Sequence, residues 1–124
     1  DNPDNLSFVK TDVCDLLPDG PWQAVVLSNV LEHIEDRVSF LKTVLQNAKP
    51  ERVLIRVPHF ERDWKMPMRK ELGLNYFSDA EHFIEHRLDE LNSELADAGL
   101  RATVTHTLWG EIWMCCERVE SDSV

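Results

Sequence analysis

Glycine is scarce in this sequence: Gly20, Gly73, Gly99 and Gly110 are the only four, and no two are close neighbours. A tight nucleotide-binding turn needs glycines within a few residues of one another, because the backbone must approach its ligand with no Cβ in the way. No stretch of the 124 residues offers that turn. Cysteine is equally thin. Cys14, Cys115 and Cys116 are odd in number and the last two are adjacent, which argues against a disulfide framework and for reduced core thiols without chemistry. Positive charge is short too, 13 Lys and Arg against 23 Asp and Glu, giving a net charge of −10. Nucleic acid and anionic membrane would both be repelled, so neither is expected as a partner. No apolar run approaches the roughly 20 residues of a membrane span, and the opening DNPDNLSF lacks the basic start and oily stretch of a secretory signal. A soluble cytoplasmic protein is the expectation. The absence of an initiating methionine at Asp1 suggests a partial or processed chain.

What is present suits one core: 43% hydrophobic and 29% charged residues over a length that favours a single domain, 1–124. Leu6-Ser7-Phe8-Val9 alternates like a short strand, and Leu17-Pro18-Asp19-Gly20-Pro21 is turn chemistry. Ala24-Val25-Val26-Leu27 is apolar at consecutive positions, the pattern of a central parallel strand buried on both faces. From Asp36, a suitable N-cap, Val38, Leu41, Val44, Leu45 and Ala48 recur at helical spacing until Pro50 stops them. Arg52 to Val57 forms the next strand, and a crossover of this length implies parallel pairing. The region from Pro58 to Tyr76 lacks clean periodicity and is expected to be a long excursion holding a helical turn or two. Ser78-Asp79-Ala80-Glu81 fits a capping box. It precedes a helix whose apolar face carries Leu88, Leu91, Leu95 and Ala98 and which ends at Gly99. Alternation from Ala102 to Leu108, then the run Ile112 to Cys116, predicts a closing antiparallel pair. The four tryptophans are expected in the core.

In that order, three segments resemble the later part of a class I S-adenosylmethionine-dependent methyltransferase. Phe8-Val9-Lys10-Thr11-Asp12-Val13 is similar to the family's third strand. Ala24 through Ile34, AVVLSNVLEHI, is similar to its fourth strand and to the "LEH" segment of the ubiquinone-biosynthesis-like branch. His86-Arg87-Leu88 through Gly99-Leu100 is similar to the last helix of that branch and its step into the sixth strand. The resemblance implies an α/β, partial Rossmann-like methyltransferase sheet with a C-terminal antiparallel hairpin, covering strands three to seven of the order 3-2-1-4-5-7-6. It also implies S-adenosylmethionine as cofactor and a small-molecule methyl acceptor as partner. The glycine-rich cofactor half is absent from these residues, so this chain by itself is expected to be inactive. With the intervening strands missing, the fourth strand would be an uncovered edge. Two outcomes are expected: pairing of residues 6–9 with 24–28, or a homodimer or swapped assembly.

The resemblance also nominates site residues. Asp12 would accept a hydrogen bond from the adenine amino group while the amide of Val13 meets a ring nitrogen. Ser28 and Asn29 end a parallel strand where open α/β sheets admit ligands, and His33 would flank the cofactor. His59, Arg62 and Trp64, beyond the next strand, would shape the acceptor pocket. Methyl transfer from a sulfonium is helped chiefly by alignment, so no catalytic residue is assigned, and no metal. Two rivals remain: a non-catalytic association module that keeps a methyltransferase-like sheet, and a zinc hydrolase built on His82-Phe83-Ile84-Glu85-His86. The second needs both histidines on one helical face.

Overall fold

A computed structural model describes residues 4–15, 17–77 and 81–120. It contains strand β1 (Ala24–Ser28), a 3₁₀ turn (Leu31–His33), helix α1 (Arg37–Ala48), strand β2 (Arg52–Pro58), helices α2 (Lys65–Glu71) and α3 (Leu88–Ala98), and strands β3 (Leu100–Leu108) and β4 (Glu111–Arg118). The strands form one sheet in the order β1-β2-β4-β3, with β1 and β2 parallel and the other two pairs antiparallel. This is the 4-5-7-6 portion of the order that the resemblance implies.

Local chemistry sets the element ends. Asp36 Oδ1 accepts a hydrogen bond from the Ser39 amide at 3.1 Å, which starts α1, and Lys49 in left-handed backbone ahead of Pro50 stops it. Gly99, at φ 86°, closes α3 in a conformation that would strain any side chain. Gly20 has a different duty. A Cβ there would lie 1.9 Å from the Ala48 carbonyl oxygen, because the turn entering β1 docks on the end of α1 through Gly20 N to Asn47 O and Trp22 N to Ala48 O. The excursion after β2 holds the seven-residue α2, whose first turn is tied by Asp63 Oδ1 accepting from the Lys65 amide. Residues 78–80 of the expected capping box lie outside the described residues.

The core lies between α1 and α3 and one face of the sheet, with Leu41, Leu91, Val57 and Ile112 each at 0% exposure. Four expectations need correction. Residues 6–9 form no strand. Phe8 is 75% exposed, and among the described residues the hydrogen bonds of 4–15 stay within that segment. An alternation of four residues cannot offset its own ordering entropy unless it pairs with an edge, and among the described residues no segment pairs with the free edge of β1. The 24–27 strand is buried on one face only: Leu27 is 6% exposed but Val26 is 64%. The tryptophans are not core, since Trp22, Trp64 and Trp109 are 49%, 67% and 85% exposed, sitting on turns or loops that no second layer covers. Of the thiols, Cys116 is buried, and that burial, with Cys115 beside it, pushes it up to about 12, but Cys14 is exposed on the strandless segment. No helix among the described residues is long and apolar enough to cross a membrane.

Candidate functional site

The two parallel strands end side by side, and a cluster of polar side chains gathers there. β1 runs out at Ser28, which is followed by Asn29 in left-handed backbone at φ 55°, its amide donating to Arg56 O at 2.9 Å. Asparagine tolerates that backbone better than most residues. The chain then turns at once into Leu31–His33, with Leu31 and Glu32 pointing into the protein and His33 half-buried. β2 runs out at Pro58, and His59 continues alongside His86 as a one-residue parallel bridge, with Phe60 N donating to His86 O at 2.7 Å. Phe83 N donates to Glu32 O at 2.8 Å. Segment 82–86 thus lies across the carboxyl ends of both parallel strands, where open α/β sheets bind ligands.

Six charged or titratable side chains gather at this end: Glu32, His33, His59, Arg62, His82 and Glu85. Rings His33 and His82 stand edge to face with centroids 4.7 Å apart, and a His33 ring nitrogen lies 3.9 Å from Glu32 Oε1. His82 Nδ1 is 3.0 Å from Glu85 Oε1, and Arg62 approaches the other oxygen of Glu85 at 3.8 Å. Glu32 and Glu85 are only 1% and 4% exposed. His59 donates its amide to Gly110 O, and burial holds its imidazole below the usual histidine range, helped by Arg62 and opposed by Glu61. Arg62 donates to His59 O at 3.0 Å, and its side chain lies so close to Gly110 that a Cβ there would be 3.1 Å away. The aliphatic stem of Arg62 therefore packs the excursion against the β3–β4 turn.

A separate polar group locks the helices. His86, fully buried, places Nε2 3.2 Å from Glu94 Oε2, and Arg37 Nε donates to both oxygens of the same carboxylate at 2.8 and 2.9 Å. Burial alone would raise the Glu94 carboxyl, but the His86 and Arg37 hydrogen bonds outweigh it and hold the group down at about 2. His82 and His86 do not share a helical face, because residues 82–86 are not helical and His86 is committed to Glu94. The H-x-x-E-H spacing therefore does not build a peptidase-type zinc site here.

Of the residues nominated from sequence, Ser28, Asn29, His33, His59 and Arg62 come to the same end of the sheet. Asp12, Val13 and Trp64 stand apart. Asp12 folds back on its own segment, its Oδ1 accepting from the Cys14 amide at 2.9 Å. Val13 borders a shallow depression of about 310 Å³ with Ile34, Ser39, Phe40 and Thr43 beside the start of α1. Ser28 borders a different one, about 300 Å³, on the open face of the sheet with Val26, Leu54, Val104 and Trp113. Trp64 is exposed immediately before α2. Sequence reasoning passed over Glu32 and Glu85 as site residues. Their signal was an acid beside or near a histidine in two separate segments, and only the tertiary contact between segments gives it meaning.

Residues 2–105 match the family described as "Methyltransferase domain". Among solved structures, the O-methyltransferase NcsB1 from neocarzinostatin biosynthesis is 25% identical, with a TM-score of 0.63 over 90% of this chain and 33% of its own. It was solved in complex with S-adenosylmethionine and 2-hydroxy-5-methyl naphthoic acid. TnmH is likewise 25% identical, with a TM-score of 0.62 over 90% of this chain and 34% of its own. The magnesium protoporphyrin IX methyltransferase of Synechocystis PCC 6803, solved with bound SAH, shares the fold at 16% identity and a TM-score of 0.63 over 90% of this chain and 51% of its own. No curated protein matches the sequence. The chain thus spans about a third of the length of NcsB1 and TnmH. The family match over most of the sequence and the shared strand order lead to one conclusion: this chain belongs to the methyltransferase domain family and has the class I fold.

Proposed function

We propose that the chain is the acceptor-side portion of a cytoplasmic S-adenosylmethionine-dependent methyltransferase of the ubiquinone-biosynthesis-like branch, acting on a small molecule. The observation that carries this reading is the convergence of Ser28, Asn29, His33, His59 and Arg62 at the carboxyl ends of two parallel strands in a methyltransferase strand order. These residues fit one wall of a cofactor cradle. The glycines do not supply the other wall: Gly20 is packed against Ala48, Gly73 and Gly99 serve positive-φ turns, and Gly110 lies under Arg62. Bound S-adenosylmethionine would bring a methyl group activated on a sulfonium, and alignment of the acceptor is then the main demand on the protein. Ser28 and Asn29 would hold the cofactor edge, with His33 flanking it. His59, Arg62 and, from its exposed position ahead of α2, Trp64 would orient the acceptor. Asp12 and Val13 would address the adenine if bound cofactor drew residues 4–15 toward the strand ends.

This chain alone should bind S-adenosylhomocysteine weakly, with Kd above the micromolar range by calorimetry. A longer polypeptide that adds a glycine-rich turn should bind it tightly and lose about tenfold on Asn29→Ala. Micromolar binding by the 124 residues alone would contradict the one-wall reading, and an unaffected Asn29→Ala would remove these strand ends from the cofactor site.

The open sheet face favours a second reading, a non-catalytic module that self-associates through that face or through the free edge of β1. Val26 and Leu54 are 64% and 39% exposed on the neighbouring strands β1 and β2, and Val104 is 50% exposed on β3 across β4 from them, an apolar surface of the kind that seeks a cover. Sedimentation over a concentration series should then show a homodimer, whereas a monomer at every concentration would count against it.

A further inference from the structure

We propose that Glu32, His33 and His82 form a binding site for one divalent transition-metal ion. A carboxylate oxygen and one nitrogen from each imidazole all lie within 4.8 Å of one another, although the residues come from two segments some fifty positions apart. Ligands at about 2.0–2.2 Å from a common ion are at most about 4.4 Å apart, so small side-chain rotations close the cluster onto a metal.

A second, independent observation points to a ligand. Glu32 is 1% exposed, and its Oε2 has no hydrogen-bond partner among the described residues. A carboxylate buried in that way is costly unless a cation reaches it, and native structures rarely leave one so. Its surroundings are built rather than accidental. The Glu32 carbonyl accepts the Phe83 amide at 2.8 Å, which fixes the spacing of the two segments, and Glu85 holds His82 through Nδ1 at 3.0 Å. A carboxylate on one ring nitrogen sets the tautomer and orientation of a metal-binding imidazole. Nearby positive charge is already engaged: Arg62 approaches Glu85, and Arg56 donates to Glu111. The side chain of His33, 35% exposed, provides a route from solvent.

Two imidazoles and one carboxylate make a nitrogen-rich, borderline donor set, which favours Zn²⁺ or Co²⁺ over Mg²⁺ or Ca²⁺. Three protein ligands leave at least one coordination position open, as in sites that hold a water or a reactant rather than in closed structural ones. The inference stands apart from the methyltransferase reading, since metal binding is measured without cofactor or acceptor.

The test is a Zn²⁺ titration by calorimetry, with thermal melts, on protein carrying Cys14→Ser so that the exposed thiol contributes nothing. The expected result is one equivalent bound, at least tenfold more tightly than by the same protein with Glu32→Gln or His82→Asn added, and a metal-dependent rise in Tm that those two variants lack. His106→Gln, on exposed β3, should bind like the parent. Equal Zn²⁺ affinity in the ligand variants, or Mg²⁺ binding as tight as Zn²⁺, would overturn the site. Should Glu32→Gln lose its circular dichroism signature, the half-exposed His33→Asn replaces it in the comparison.

Discussion

On the helix side of the sheet, Val53, Ile55 and Val57 are 1%, 2% and 0% exposed. On the other side Leu54, between two of them in sequence, is 39% exposed, and Val26, its register partner on β1, is 64%. The residues are alike in hydrophobicity and share strands, so composition does not explain the difference. What separates the faces is the layer above: α1 and α3 cover one, and among the described residues no helix covers the other. An apolar side chain gains from the hydrophobic effect only where a second layer removes its area from water.

The sharpest way to break that contrast is truncation on each side. Leu41→Ala, at a fully buried position of α1, should cost about 2–5 kcal/mol in urea unfolding. Leu54→Ala, on the open face, should cost less than about 1 kcal/mol, since little of its area is removed from water. Comparable losses at the two sites would mean that the open face is covered in solution, and sedimentation would then show the partner copy.

A smaller effect sharpens the description of the helix side by asking how α1 and α3 are joined. The Glu94 carboxyl is held down at about 2, against an ordinary 4.5. A folded value below the unfolded one means that its stabilisation is complete above about 4.5 and is lost as pH falls toward 2. Glu94→Gln should therefore lower the urea midpoint at neutral pH and flatten the fall in stability on acidification to roughly pH 3. An acid limb as steep as that of the parent would assign the acid sensitivity to carboxyls other than Glu94.

The elements legible in the sequence were those whose signals are local. Asp36 and Pro50 bracket α1, Gly99 ends α3, and the switch to alternation at Ala102 marks the hairpin. Leu6 to Val9 misled because alternation reports the capacity to pair and not the presence of a partner. The tryptophans misled because residue type says nothing of whether a layer lies above. At the site, Ser28, Asn29 and His33 could be picked out because a strand that ends in polar residues is visible along the chain. Glu32 with His82, and Glu85 with Arg62, could not, since each pair is separated by dozens of residues.

The sequence by itself determined the helices, the paired strands and their order of succession, because capping, periodicity and breaker residues act within a few positions. Only the tertiary structure decided which face of the sheet is covered and which titratable groups become neighbours at the ends of β1 and β2. Burial and side-chain proximity are properties of packed layers and crossing segments, and no local signal in a chain encodes the distance between residues fifty positions apart.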